Sequence, residues 1–218
     1  MHSDDKFFFR LLYFGLFLVS LLWLVEGLQY ILDTDFHKLG IYPRTLKGSV
    51  GVVTGPWIHG DIYHLFSNSF PLLFLGISIA FFYRKIAIEL FFWMYLFTGL
   101  AVWLFGRPAF HIGASGVIYA MIGFLLFSGL FRKDIQSGAI AFAFLFLYGG
   151  VLQGMFPAAV EPHVSWESHL LGAAVGAALA FIYRNSDTIE NDDPPENDDE
   201  DPVSFSNSGE YTYVFKSK

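Results

Sequence analysis

Cysteine is absent from all 218 residues, which removes disulfides, thiolate catalysis and cysteine-ligated metal from consideration. Charge is scarce as well: Asp, Glu, Lys and Arg make up 15% of the chain, against about 25% in a typical soluble domain. No block of Lys and Arg marks a nucleic-acid surface, so no nucleic acid is expected as a partner. No His-x-x-x-His pair or grouped glutamates supply metal-ligand spacing, although His59, His64, His111 and His169 could in principle cluster at one end. We therefore expect no metal and no cofactor.

What fills the chain instead is apolar. Hydrophobic residues make up 54% and the mean hydropathy is +0.48, the composition of an integral membrane protein. The formal charge of −7 belongs to one stretch, because residues 187–218 hold ten acids against Lys216 and Lys218. Residues 1–186 are near neutral, with ten acids and eleven bases. The acidic stretch, running through Asp-Asp-Pro-Pro-Glu-Asn-Asp-Asp-Glu-Asp-Pro, cannot bury enough apolar surface to offset its ordering entropy. It reads as a disordered tail following a membrane domain over 1–186. Tyr211 to Phe215, near its end, is more apolar but identifies no partner.

Six apolar segments stand out, at about 7–32, 62–83, 86–105, 112–131, 138–157 and 166–183. Each is long enough to cross a bilayer with some tilt, so the expected fold is an all-α, six-helix membrane bundle. The first is too long for a secretory signal core, follows Asp4 and Asp5, and lacks a small-x-small cleavage site, so it reads as a retained span. Between the first two lies a long connection at 33–61, and loops of that length are usually functional or partly embedded. Lys6, Arg10, Arg84, Lys85, Arg132, Lys133 and Arg184 fall on one side of this layout, and Lys38, Arg44, Lys47 and Arg107 on the other. The richer side is expected to be cytoplasmic, with both termini inside.

Polar groups within spans are costly unless partnered, so their placement is informative. The second, fourth and sixth segments run in the same direction, and each carries its polar residues near its start: His64 and Asn68, then Ser115, then His169. His64 and Asn68 are four apart and share a helix face, as do Ser115 and Tyr119. Ser115 sits among Gly113, Ala114 and Gly116, which leaves room for a substrate backbone. A serine among small residues also serves close helix packing, and that reading stays open at this point. Behind His169, Gly172, Ala173, Gly176 and Ala177 form a small-residue ridge, matched by Gly116, Ala120 and Gly123. Packing of the two ridges would bring the imidazole of His169 to the Ser115 hydroxyl. No carboxylate completes a triad, since Glu167 lies two positions from His169 and faces elsewhere. Glu26 and Gln29 read as structural or loop-anchoring.

Taken together, His64-x-x-x-Asn68, Gly113-Ala114-Ser115-Gly116 with Tyr119, and Ser165 to Gly176 resemble the rhomboid intramembrane serine proteases. The resemblance covers roughly 42–183. It implies a serine endopeptidase that cleaves single-span membrane proteins, with Ser115 as nucleophile and His169 as base in a dyad lacking an acid. It further implies that Tyr119 packs on His169, and that His64, Asn68 and the Ser115 N–H form an oxyanion hole. Gly113 would leave the substrate room, the 33–61 loop would be membrane-embedded, and the stretch after Phe156 would be a mobile cap. By the same resemblance, the compact six-span layout implies a bacterial inner membrane. The Trp-Arg pair found in the loop of many members is absent, and Tyr42-Pro43-Arg44 stands nearby. Two other functions fit the composition: an inactive relative that binds membrane clients, which would lack Ser115 or His169, and a small transporter. The transporter would carry polar residues on into the far half of the spans, where this chain turns to Leu, Phe and Ala.

Overall fold

The computed structural model describes residues 3–133, 135–147, 153–156, 158 and 164–186. The tail at 187–218, most of the expected cap after Phe156, and 148–152 lie outside the described residues. Among the described residues the fold is all-helical, with no strand and one isolated bridge. The long helices are α1 (Ser3–Leu32), α3 (Ile62–Phe82), α4 (Ala87–Phe105), α5 (Ser115–Arg132), α6 (Ile135–Leu147) and α7 (Trp166–Ile182), and the first loop carries the short turn α2 (Gly51–Thr54) with 3-10 turns at His37–Leu39, Lys47–Val50 and Gly55–Trp57. Among the described residues, four stretches are long and apolar enough to cross a membrane: Leu12–Leu32 within α1, then α3, α4 and α5. The helices α6 and α7 are shorter, at 13 and 17 residues.

Two segments differ from the sequence expectation. The fourth helix begins at Ser115 rather than near 112, because Gly113 has φ +100° and the chain cannot be helical there. The apolar run expected at 138–157 is not one helix: α6 covers Ile135–Leu147, and Gln153–Met155 forms a separate 3-10 turn.

The helix α5 is the centre of the bundle. Eleven of its eighteen residues are buried, including the whole run from Gly116 to Leu125. Its tightest neighbour is α7, and glycines set the distance. A Cβ on Gly172 would fall on the Gly116 carbonyl, and one on Gly176 would fall on the Ala120 carbonyl. From the other side, a Cβ on Gly123 would lie 2.5 Å from the Ala173 carbonyl. Gly172 opposes Gly116 and Gly176 opposes Ala120, so the two helices run in the same direction in a constant register. Both therefore begin at the same end of the bundle. Close backbone approach of this kind needs small residues on both faces.

The loop between α1 and α3 is pinned against that end. Ile41 and His111 exchange backbone hydrogen bonds of 2.9 and 2.8 Å, and Gly113 N–H donates to the Gly55 carbonyl at 3.0 Å. Arg44 donates to the carbonyls of Leu104 and Gly106, and the Trp103 indole donates to the Thr45 carbonyl. Gln29 ties the end of α1 to the loop, accepting from Phe36 N–H at 2.9 Å and donating to Glu26 at 2.8 Å. At the opposite end Tyr183 donates to Glu89, and Arg132 lies over the Tyr83 ring and donates to the Ser186 carbonyl.

Candidate active site

Because α5 and α7 share direction and register, their first turns lie side by side. Ser115 is the first residue of α5, and His169 lies in the opening turn of α7. Their side chains meet: His169 Nε2 is 2.9 Å from Ser115 Oγ. The other ring nitrogen, Nδ1, lies 2.8 Å from the carbonyl of Gly154. A carbonyl only accepts, so Nδ1 carries the proton and Nε2 presents its lone pair to the serine. The imidazole is thus oriented by a backbone oxygen and not by a carboxylate. Below it, the Tyr119 ring stacks on the imidazole with centroids 4.2 Å apart and planes 3° from parallel.

Gly154 fits so closely that a Cβ there would fall on the Tyr119 hydroxyl and lie 3.1 Å from His169 Nδ1. Sequence reasoning missed this residue, since an accepting carbonyl leaves no side-chain signal. The only hint was a glycine in a run expected to be helical.

His64 approaches from α3. Asp61 caps that helix by accepting from the His64 N–H at 2.8 Å, which fixes the first turn. The His64 ring lies over Gly113, where a Cβ would come within 2.7 Å of both Nε2 and Cε1. Glycine is required at 113 twice over, for the ring above it and for its positive φ. One turn on, Asn68 is buried and its amide donates to the His64 carbonyl at 2.8 Å; the second N–H of the same group is not used by that bond. Ser115 and His64 are only half-buried, whereas His169 and Asn68 are buried. The structure thus brings Ser115, His169, Tyr119, Gly113 and His64 together, with Asn68 a turn below His64. Gly116, Gly172 and Gly176 lie in the helix seam. A small pocket bounded by Ile41, Thr98, His111, Gly113 and Gly116 among others lies beside the serine turn, and Ser115, His169 and His64 do not line it.

His59 packs edge-to-face on His64, with ring centroids 4.8 Å apart. Burial, then the neighbouring His64, push its pKa down to about 4. His111 does not join these histidines: its ring turns to Ser165. Glu167 is buried and pairs with Arg107 at 3.6 Å.

A family model for the rhomboid domain matches residues 47–186. The chain belongs to the rhomboid family. An uncharacterized protein of Mycobacterium tuberculosis is 35% identical over 175 residues, covering 75% of this chain and 71% of the relative. RHOMBOID-like protein 4 of Arabidopsis thaliana is 30% identical over 146 residues, covering 64% and 36%. A Bacillus subtilis protein provisionally named a rhomboid protease is 24% identical over 184 residues, covering 78% and 86%. The matched region contains every helix that carries the cluster, from α3 through α7 of this rhomboid-family protein.

Proposed function

We propose that this rhomboid-family protein is an intramembrane serine endopeptidase, with Ser115 as nucleophile and His169 as its base. The observation that carries the reading is the 2.9 Å contact between His169 Nε2 and Ser115 Oγ, with the tautomer set by the Gly154 carbonyl. Neutral His169 takes the Ser115 proton as Oγ bonds to a peptide carbonyl carbon. As the C–N bond breaks, His169 hands that proton to the leaving amine. Water then attacks the acyl-enzyme, His169 takes a proton from it, and the proton returns to Oγ as the acid product leaves.

The oxyanion that develops needs donors. Ser115 N–H is the first amide of α5 and has no intrahelical acceptor, and the positive end of that helix helps further. His64 and the free N–H of Asn68 complete the set, and Gly113 keeps the space beside them open. In a soluble case, one such donor is worth about 3–4 kcal/mol.

We read the protein as six spans with both termini in the cytoplasm of a bacterial inner membrane, with α6 and α7 as the short spans. At 17 residues α7 rises about 25 Å, less than the roughly 30 Å of bilayer hydrocarbon. Its first turn therefore opens into a recess below the non-cytoplasmic surface. Substrates are single-span membrane proteins whose helix unwinds near Gly, Pro or other weak helix formers.

The test is cleavage in liposomes of a generic single-span substrate by the wild type, Ser115→Ala and His169→Ala. Cleavage by the wild type alone is expected. Equal cleavage by Ser115→Ala overturns the assignment.

A further inference from the structure

Two segments flank the proposed reacting pair: 107–111, just before Ser115, and 164–168, just before His169. They are cross-linked by polar side chains. His111 is buried at 3% exposure, and both its backbone groups are paired with Ile41. Its Nε2 lies 3.0 Å from the Arg107 carbonyl and its Nδ1 lies 2.5 Å from Ser165 Oγ. The carbonyl can only accept, so Nε2 carries the proton and Nδ1 accepts from the Ser165 hydroxyl. With its one proton given to His111, Ser165 Oγ accepts from the Ser168 hydroxyl at 2.6 Å and from the Ser168 N–H at 3.4 Å. The Ser165 carbonyl in turn accepts the N–H groups of Ser168 and His169. Beside this relay, the Arg107 guanidinium donates to the Val164 carbonyl at 3.0 Å and faces the Glu167 carboxylate.

We infer that His111 and Ser165 are positioning residues: their hydrogen bond fixes the start of α7 against the residues preceding Ser115, and so sets the distance between His169 and the serine. Ser165 is the N-cap of α7 and His111 stands four residues before Ser115. Losing the bond frees one helix start to shift relative to the other. The seam glycines set the spacing of the two helices from Gly116 and Gly172 onward, and the His111–Ser165 bond adds a restraint at the helix starts themselves. A 1 Å misplacement of a reacting group costs on the order of a hundredfold in rate. The inference rests on the proposed Ser115–His169 chemistry, and its test separates the two.

The experiment measures the second-order rate of fluorophosphonate labelling of the full chain in detergent, together with its thermal midpoint. The variants are Ser165→Ala, Ser165→Thr, His111→Ala and the Ser165→Ala/His111→Ala double. Ser165→Ala is expected to slow labelling between about tenfold and a hundredfold. Ser165→Thr keeps the hydroxyl and is expected to recover most of the rate, and the double variant is expected to be no slower than the slower single. Labelling of Ser165→Ala at the wild-type rate overturns the inference. So does a Thr variant as slow as the Ala variant at an unchanged midpoint, or losses that multiply in the double. Should His111→Ala fail to fold, the Ala and Thr variants at 165 decide alone. A wild type that does not label at all would instead count against the proposed function.

Discussion

The seam between α5 and α7 and the seam between α1 and α3 both use glycine, and they use it differently. In the first, added methyls would land on backbone carbonyls of the facing helix. In the second, a Cβ on Gly15 would lie 2.9 Å from the Leu73 side chain and 3.0 Å from the Leu73 carbonyl, tight but not superposed, whereas one on Gly76 would meet the Leu18 side chain at 3.5 Å, an ordinary contact. The face of α1 is otherwise filled by Leu18 and Leu22, with the Trp23 indole donating to Ser69 at 3.1 Å. Side-chain layers can repack when one member changes, whereas a backbone-to-backbone contact can only separate. The tighter seam is the one that carries the proposed reacting pair, Ser115 and His169, and the looser one carries neither. Positional accuracy is placed where the proposed chemistry needs it.

The comparison breaks most readily at Gly172. Gly172→Val must push α7 away from Gly116, which costs at least the ~1–3 kcal/mol of an overpacked core and parts His169 from Ser115. A lowered thermal midpoint and a loss of fluorophosphonate labelling of roughly a hundredfold or more are expected. A variant that labels normally would show that the seam does not set the pair's distance.

Gly113→Ala acts next, through the site and not the seam. It forces a methyl into the His64 ring at a left-handed φ that costs about 1–2 kcal/mol. Substrate cleavage should fall by about 10²–10³, the loss expected for one oxyanion donor. Retained cleavage would mean that His64 is not needed where it stands.

Acid sensitivity tests the polar end against the apolar seams. The pKa of His59 falls from 6.5 to about 4 on folding, so between these values the unfolded chain binds more protons. Stability is therefore unaffected above pH 6.5 and declines as pH falls through that window, by up to ~3 kcal/mol. Thermal midpoints of the wild type and His59→Asn from pH 7 to pH 4 check this, with a shallower decline expected in the variant. Parallel curves would contradict it.

The smallest effect is expected at Gly76. Gly76→Ala meets Leu18, Gly15 and Phe14 only at ordinary contact distances of 3.5–3.9 Å and gains helix propensity, so the midpoint should stay level or rise, by no more than about 1 kcal/mol in stability. A loss as large as that of Gly172→Val would erase the distinction between the seams.

Much of this was legible before any coordinates. Small residues at four-residue spacing on two segments of the same direction already implied that those segments pack closely. Polar residues at the starts of three segments likewise pointed to one shared depth. Three features were not legible, for a common reason: they depend on backbone groups or on loop contacts distant in sequence. The Gly154 carbonyl has no residue signature. The start of α5 is set by the dihedral angle of Gly113, which a hydropathy pattern does not contain. The pairing of His111 with Ser165 joins residues 54 apart in the chain, through a bond that no local spacing encodes.

Adduct mapping tests the central claim most directly: the protein is labelled with a fluorophosphonate, digested, and the modified residue identified by mass spectrometry. The account predicts phosphonylation at Ser115 in the wild type and no adduct in either Ser115→Ala or His169→Ala. An adduct on another serine, or undiminished labelling of His169→Ala, would contradict it.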